Sequence, residues 1–123
     1  MPTFAELAGA TAPPCDGISF LPSLLGTGQQ RQHDYLYWEF NESAGPMQAL
    51  RFDGKWKAYR AWGKAAIGPI QLFDLEDDPS EKKSVAQKHP ELVKRAEQLF
   101  KAARTPHDKF PLTKRGKSNS KKH

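Results

Sequence analysis

The chain has 123 residues, of which 37% are hydrophobic and 27% charged, with a formal net charge of +5. This length leaves room for one modest folded domain and little more. The sequence contains no run of 18 apolar residues and therefore predicts no membrane-spanning helix. Its single cysteine, Cys15, excludes an internal disulfide and a thiolate metal cluster within the chain.

The positive charge is concentrated at the C-terminal end. Residues 113–123 carry five of the 19 basic residues and no acidic one, so residues 1–112 hold 14 basic against 14 acidic residues and are formally neutral. This tail has no apolar side chain to bury, and we expect it to be disordered. It is either a solvated end or a contact site for phosphate or sulfate groups. Its basic residues are Lys114, Arg115, Lys117, Lys121 and Lys122.

Two short helices are predicted near the N-terminus. The opening stretch MPTFAELAGA lacks the basic region of a signal peptide, and a helical pattern over residues 3–9 begins almost at once. A Pro/Gly-rich connection follows. The second helix has Pro22 in its first turn and Gly26 at its end, and we expect Leu24 and Leu25 to pack inward.

Four strands are predicted in the middle of the chain, where polar and apolar residues alternate. The first strand, DYLYWEF, carries bulky side chains on both faces, so we expect it to be central or well covered. Asp53-Gly54 is the typical turn of a hairpin between the second and third strands. The predicted strands span residues 34–40, 47–52, 55–62 and 70–75.

A helical period replaces the alternation after the fourth strand. Asp78, Pro79 and Glu81 form the pattern of a capped helix start. A second start at Pro90 opens an amphipathic helix that should lie across one face of the sheet. The order of elements predicts an α+β fold: a small antiparallel sheet of about four strands packed against a C-terminal helix, preceded by short helices.

The sequence contains none of the common catalytic motifs, such as GxSxG, HExxH, CxxC or a phosphate-binding Gly-rich loop. Its four histidines show no ligand spacing, and the acidic run DLEDDPSE lacks the spacing of a calcium-binding EF-hand. Glu39 and Glu42 are candidates for a carboxylate pair in acid–base chemistry. Solvated carboxylates at a strand end are the alternative interpretation.

The predicted hairpin QALRFDGKWKAYR interleaves cations with aromatic residues, which is also typical of a nucleic-acid-binding sheet. We expect Phe52 and Trp56 to pack, and Lys55 and Lys57 to be solvated. The formal neutrality of residues 1–112 counts against nucleic acid as a partner.

Five segments in a fixed order resemble the C-terminal part of the formylglycine-dependent sulfatases of the arylsulfatase type, in the alkaline-phosphatase-like superfamily. The resemblance covers residues 2–111. Phe73 stands where the family usually has tyrosine, and Ser84 where asparagine is common. The segments are PTFAELAGA, DGISFLPSLLG, HDYLYWEF, QALRFDGKWKAYR and IQLFDLEDDPSEKKSVAQKHPELVKRAEQL.

The resemblance implies three regions. Residues 1–33 correspond to the end of the large catalytic domain and its connection, residues 34–112 to the C-terminal subdomain, and residues 113–123 to a basic disordered tail. The family's nucleophile is a formylglycine made within Cys/Ser-x-Pro-x-Arg. Cys15 precedes Asp16-Gly17-Ile18 and does not match this motif.

The resemblance therefore leads us to expect a fragment of a sulfuric ester hydrolase that is not catalytic by itself. Formylglycine and calcium are implied for the full-length family but for no residue of this chain. Full-length members are typically periplasmic or extracellular. The implied partner is a missing N-terminal catalytic domain, and the exposed interface with that domain favours self-association.

A contribution to substrate selection is expected at the end of the first strand. In the family, the C-terminal subdomain often lends side chains to the rim of the substrate pocket, and a sulfated carbohydrate is the implied substrate class. The alternatives are a stand-alone basic module that binds sulfated polysaccharide or nucleic acid, and a subunit that complements a separately encoded catalytic half. The rim candidates are Trp38, Glu39, Asn41 and Glu42.

Overall fold

The computed structural model describes residues 1–42, 45–63, 66–109 and 111–112, except for the side chain of Glu42. The expectations for the basic tail therefore lie outside the described residues. The chain forms two compact units, one from Met1 to Asp34 and one that begins at Tyr35. Within the described ranges, no helix combines the length and the apolar character needed to cross a membrane.

The first unit contains two short helices, α1 (Pro2–Leu7) and α2 (Leu21–Leu25). Each has proline in its first turn, where the backbone N–H has no helical acceptor to lose. The hydroxyl of Thr3 accepts a 3.2 Å hydrogen bond from the N–H of Phe20, just ahead of α2. This bond connects the two helices within the unit.

The prediction that Leu24 and Leu25 pack inward was wrong. These side chains are 61% and 57% exposed, whereas Leu21 is buried. A helix of five residues completes little more than one turn, so it presents only a narrow face to its surroundings. Gly26 ends it in the left-handed conformation, with φ of 66°, as the sequence predicted.

The second unit is built on an antiparallel meander in which consecutive strands are neighbours, which confirms the predicted α+β fold. The register places Leu50 opposite Tyr37 on one side and opposite Ala58 on the other, and Ala58 opposite Leu72. These side chains share one face of the sheet because alternate residues of a strand point the same way. The strands are β1 (Tyr35–Glu42), β2 (Gly45–Phe52), β3 (Trp56–Ala61) and β4 (Gln71–Asp74).

The core lies between this face and helix α3 (Pro90–Ala103), which follows a short 3₁₀ turn at Ala86–Lys88. Ala96 and Phe100 are the buried residues of α3. Phe52 is buried and Trp56 packs against the core, as the sequence predicted. The buried residues of this core are Leu50, Phe52, Ala58, Ile70, Leu72, Ala96 and Phe100.

Strand β1 is an edge strand, which corrects the expectation of a central or well-covered one. Leu36, Trp38 and Phe40 on its outer face are 39%, 52% and 51% exposed. The meander begins at β1 and grows only toward β4, so β1 pairs with β2 alone in the described sheet. Helix α3 covers the other face of the sheet, where Tyr35 and Tyr37 pack against the core.

The predicted helix start at Asp78 was also wrong, because residues 78–81 form a turn. The N–H of Glu81 donates to the carbonyl of Asp78 at 3.0 Å, and the Asp78 carboxylate accepts from the N–H of Lys83 at 2.8 Å. Glu81 has a positive φ of 54°, a left-handed conformation that a right-handed helix does not continue. Asp78 of the acidic run therefore caps a turn and does not start a helix.

Candidate functional site

The four rim candidates lie in β1 from its fourth residue to its last, and those with described side chains point to different surfaces. Trp38 lies on the exposed outer face, whereas Glu39 and Asn41 lie on the face toward α3. The backbone of Glu42 pairs with Gly45, and its side chain is outside the described residues. Because a strand alternates its side chains, Trp38 and Glu39 contact different neighbours. The structure therefore brings Glu39 and Asn41 to one face and separates Trp38 from them.

The carboxylate of Glu39 is the centre of a polar network. Its Oε2 atom accepts hydrogen bonds from the Nε of Arg104 at 3.0 Å and from the hydroxyl of Tyr37 at 2.5 Å. The side-chain amide of Gln48 also approaches this oxygen, at 3.4 Å. Three donors from β1, β2 and the residue that follows α3 thus converge on one oxygen atom, so Glu39 joins these elements.

The network continues toward the centre of the sheet. The Nε2 atom of Gln48 donates to the Tyr37 hydroxyl at 2.7 Å, and the Gln48 carbonyl oxygen accepts from the Nε of Arg60 at 2.7 Å. The guanidinium of Arg60 lies 4.3 Å from the ring centroid of Phe100, a distance suited to a cation–π contact. Gln48 is only 1% exposed. A series of hydrogen-bonded side chains, from Tyr37 through Gln48 to Arg60, is therefore packed against the core.

Sequence reasoning missed Gln48 and Arg104 as partners of Glu39, and Arg60 as the partner of Gln48. A signal for two of them was present, because Gln48 and Arg60 lie on the same strand faces as the core residues Leu50 and Ala58. Polar residues at such positions indicate a buried hydrogen-bonded network. Arg104 carried no such signal, since it contacts Glu39 across 65 positions of sequence.

Two members of the network, Tyr37 and Arg60, keep their protons near neutral pH. Burial, reinforced by the hydrogen bond to Glu39, raises the pKa of Tyr37 to about 12. Tyr37 therefore stays neutral and donates a hydrogen bond to Glu39. Burial lowers the pKa of Arg60, but an arginine keeps its charge in proteins. These properties are those of a positioning network. Acid–base work by Glu39 with Glu42 stays a prediction.

Residues after α3 contact the end of β1 a second time. The Nδ2 atom of Asn41 donates to the carbonyl of Pro111 at 2.8 Å. We call the described residues from Arg104 to Leu112 the strap. Because Glu39 and Asn41 are two residues apart on β1, both contacts fall on the same face of the strand.

The two lysines of the β2–β3 hairpin are ion-paired, which corrects the expectation that Lys55 and Lys57 are solvated. The Nζ of Lys55 lies 2.6 Å from Asp74, and the Nζ of Lys57 lies 2.6 Å from Glu81. The hydrogen bond to Asp74 raises the pKa of Lys55, and in return Lys55 lowers the pKa of Asp74. Carboxylates of the same unit thus compensate these charges, which does not favour a nucleic-acid-binding sheet.

The described residues do not fit a calcium site. No group of three or more His, Cys, Asp or Glu side chains within them is placed to hold a metal ion. Cys15 is exposed and lies outside a Cys/Ser-x-Pro-x-Arg motif. No catalytic step is therefore assigned to a metal or a formylglycine on these residues.

No protein-family model matches the chain, but individual proteins do. The chain is 36% identical over 90 residues to the choline-sulfatase of Rhizobium meliloti (strain 1021), across 70% of this chain and 16% of that protein. It is 32% identical over 124 residues to arylsulfatase A of Bos taurus, across 80% of this chain and 24% of that protein.

A solved structure shares the fold. The structure of a 2-O GAG sulfatase matches with a TM-score of 0.68 and 26% sequence identity, across 83% of this chain and 23% of that structure. The chain therefore spans about a fifth of the length of the relatives that it matches.

Proposed function

Because the chain is a homologue of the sulfatases over most of its length, we propose that it is the C-terminal part of a sulfatase whose catalytic groups lie outside this chain. The observation that carries the proposal is the agreement of sequence and fold with sulfatases over about 80% of the chain. Sulfatase homology implies formylglycine and calcium for the full-length protein. The sulfate-ester chemistry belongs to those groups, and this chain supplies packing and a substrate rim.

The outer face of β1 supports an interface with the catalytic part. Leu36, Trp38 and Phe40 expose between 39% and 52% of their surface. Apolar area in water costs about 25 cal/mol per Å², so three large side chains in a row favour a covering surface. We expect the 123-residue chain alone to self-associate and to bind an apolar-surface dye. A monodisperse monomer that binds no such dye would count against this interface.

The end of β1 is the proposed substrate rim. Asn41 and Glu42 precede the connection to β2, and Trp38 presents a half-exposed indole on the outer face of the same strand, opposite to the face of Asn41. Glu39 positions the end of the strand and does not contact the substrate, because its carboxylate already accepts hydrogen bonds from Arg104 and Tyr37. The solved 2-O GAG sulfatase supports a sulfated carbohydrate as the substrate class. Amides and indoles suit sugars, since they combine hydrogen bonding with an apolar surface.

The first experiment reads the DNA upstream of the Met1 codon. We expect an open reading frame that continues into Met1 and encodes Cys/Ser-x-Pro-x-Arg. An in-frame stop codon close ahead of Met1 would overturn the single-chain proposal. A separately encoded catalytic subunit would then have to be sought by copurification.

The second experiment tests the rim in the whole enzyme. Asn41→Ala, Glu42→Ala and Trp38→Ala should each lower kcat/KM for a sulfated disaccharide by roughly 3- to 10-fold, the effect of one lost polar or packing contact. Hydrolysis of 4-nitrophenyl sulfate should change much less. Lys94→Ala, on an exposed position of α3, is the matched control. Equal effects on both substrates, or none on either, would contradict the rim role.

A further inference from the structure

The strap holds the side-chain amide of Asn41 in one orientation. The atom of Asn41 that lies 2.8 Å from the carbonyl oxygen of Pro111 is the nitrogen Nδ2, because a carbonyl only accepts hydrogen bonds and the amide oxygen cannot donate one. The oxygen and the nitrogen of an amide point in different directions from the same carbon atom. The Oδ1 atom of Asn41 is therefore directed away from the strap.

The backbone that carries this amide is also held in place. Asn41 pairs with Pro46 in the register of β1 and β2, and the side chain of Pro46 is fully buried. The carbonyl of Pro46 accepts a 2.8 Å hydrogen bond from the N–H of Trp62, the residue after β3. Two residues before Asn41, the ion pair of Arg104 with Glu39 fixes the same face of β1. A group that is held in this way loses little conformational entropy when it binds a ligand.

Asn41 also has an acceptor atom that is open to a ligand. The neighbouring polar side chain on this face, Glu39, already accepts hydrogen bonds from Arg104 and Tyr37. By contrast, no residue that the structure describes donates a hydrogen bond to the Oδ1 atom of Asn41. Asn41 is half-buried, and no buried polar side-chain atom in the same ranges lacks a hydrogen-bond partner. The Oδ1 atom is therefore accessible to solvent.

We propose that Asn41, oriented by the strap, is a specificity-determining residue that accepts a hydrogen bond from an unsulfated hydroxyl group of the substrate. This inference rests on the proposed function, which assigns Asn41 to the substrate rim, and it adds the sugar group that Asn41 selects. A hydroxyl can donate to an amide oxygen. A sulfate ester is an anion whose oxygens only accept, so a second sulfate at this position of the sugar is disfavoured. The strap is a positioning element that acts through Asn41.

The first test compares substrates in the whole enzyme. The probes are a sulfated disaccharide and its monodeoxy analogues, in each of which hydrogen replaces one hydroxyl. With the parent enzyme, one analogue should lose roughly 3- to 10-fold in kcat/KM, the effect of one hydrogen bond. Asn41→Ala should not distinguish this analogue from the disaccharide, whereas the control Lys94→Ala should discriminate as the parent does. Equal losses for every analogue in the parent and in Asn41→Ala would overturn the inference.

The second test removes the strap contact and keeps Asn41. An enzyme that ends at Lys109 lacks the carbonyl of Pro111, whereas a matched enzyme that ends at Leu112 keeps this carbonyl and lacks only residues 113–123. The first should lose the discrimination between the disaccharide and the sensitive deoxy analogue, and the second should retain it. Both should hydrolyse 4-nitrophenyl sulfate as the parent does. Equal discrimination by the two shortened enzymes would overturn the role of the strap.

A substrate with a second sulfate completes the test and separates this inference from the proposed function. The disaccharide that carries sulfate on the sensitive hydroxyl should be a poorer substrate for the parent, and Asn41→Ala should reduce this preference several-fold. If Asn41→Ala lowers kcat/KM for the disaccharide, the deoxy analogues and the disulfated form by the same factor, the rim role stands and this inference falls. A whole protein that hydrolyses no sulfate ester overturns both.

Discussion

The Nε atom of Arg104 lies 3.0 Å from the Oε2 atom of Glu39, and this ion pair connects the residue after α3 to the edge strand β1. The same oxygen accepts the hydroxyl proton of Tyr37. Loss of the carboxylate would therefore remove the acceptor of both hydrogen bonds. Loss of Arg104 would leave the shielded carboxylate of Glu39 without its cationic partner.

This ion pair predicts the response to its removal. Glu39→Ala and Arg104→Ala should each lower the free energy of unfolding by about 2–3 kcal/mol, because a shielded polar group loses its partner. A double-mutant cycle should give a coupling energy of about 1–2 kcal/mol. Urea unfolding measures both. The free energy of unfolding of the control variant Lys94→Ala should stay within about 0.5 kcal/mol of that of the parent protein. A coupling energy near zero would contradict the role given to the pair.

Tyr37 predicts a change of stability in alkali. Its pKa is raised to about 12 from an ordinary value of 10.0, so the native state holds this proton more tightly than the unfolded state does. The associated stability is complete below pH 10 and is lost as the pH rises toward 12. Tyr37→Phe should lose less stability between pH 10 and pH 12 than the parent protein does. Glu39→Gln should lower the pKa of Tyr37 without restoring 10.0, since burial remains.

Ultraviolet difference absorption measures the tyrosinate fraction and tests this prediction. The component that disappears in Tyr37→Phe identifies the shifted group. A Tyr37 component that titrates near pH 10 in the folded protein would show that Tyr37 is not protected.

Asp74 predicts a change of stability in acid. The hydrogen bond from Lys55 lowers the pKa of Asp74 below its ordinary value of 3.8. A carboxyl with a depressed pKa stabilises the fold above about pH 4, and this contribution is lost as the pH falls through the native pKa. Asp74→Asn should therefore be less stable than the parent at pH 7, and the difference should shrink below pH 4.

Urea midpoints at pH 7, 4 and 3 measure this convergence. Glu76→Gln is the matched control, since Glu76 lies 3.5 Å from the same lysine but is 74% exposed. It should change the midpoint little at any pH. A difference in urea midpoint between Asp74→Asn and the parent that stays constant from pH 7 to pH 3 would contradict the link between the lowered pKa of Asp74 and stability.

The hairpin turn predicts that substitution of Gly54 lowers stability through the backbone conformation alone. Asp53 and Gly54 have φ of 48° and 78°, and a Cβ atom on Gly54 would meet no other atom within 4 Å. Gly54→Ala should therefore lower stability by about 1 kcal/mol through backbone strain without a steric clash. Gly54→Asn should cost less, because asparagine tolerates the left-handed region better. Equal stability of the glycine and alanine forms would contradict this account of the turn.

Several elements could be predicted from local sequence. Alternation over six to eight residues located the strands, Asp53-Gly54 marked the hairpin, and the 3.6-residue period marked α3. Each signal depends on residues that are close in sequence. The helix predicted at Asp78 failed, because a capping pattern also suits a turn when a residue such as Glu81 adopts a left-handed conformation.

The sequence by itself determined the fold class, the neutrality of residues 1–112 and the relationship to the sulfatases, because these depend on composition, local period and the order of segments. It also implied that Trp38 and Glu39 point to opposite faces. Only the tertiary structure decided that β1 lies at an edge and that Arg104 reaches Glu39. Contacts across 65 positions depend on how the helix packs on the sheet, which no local pattern specifies.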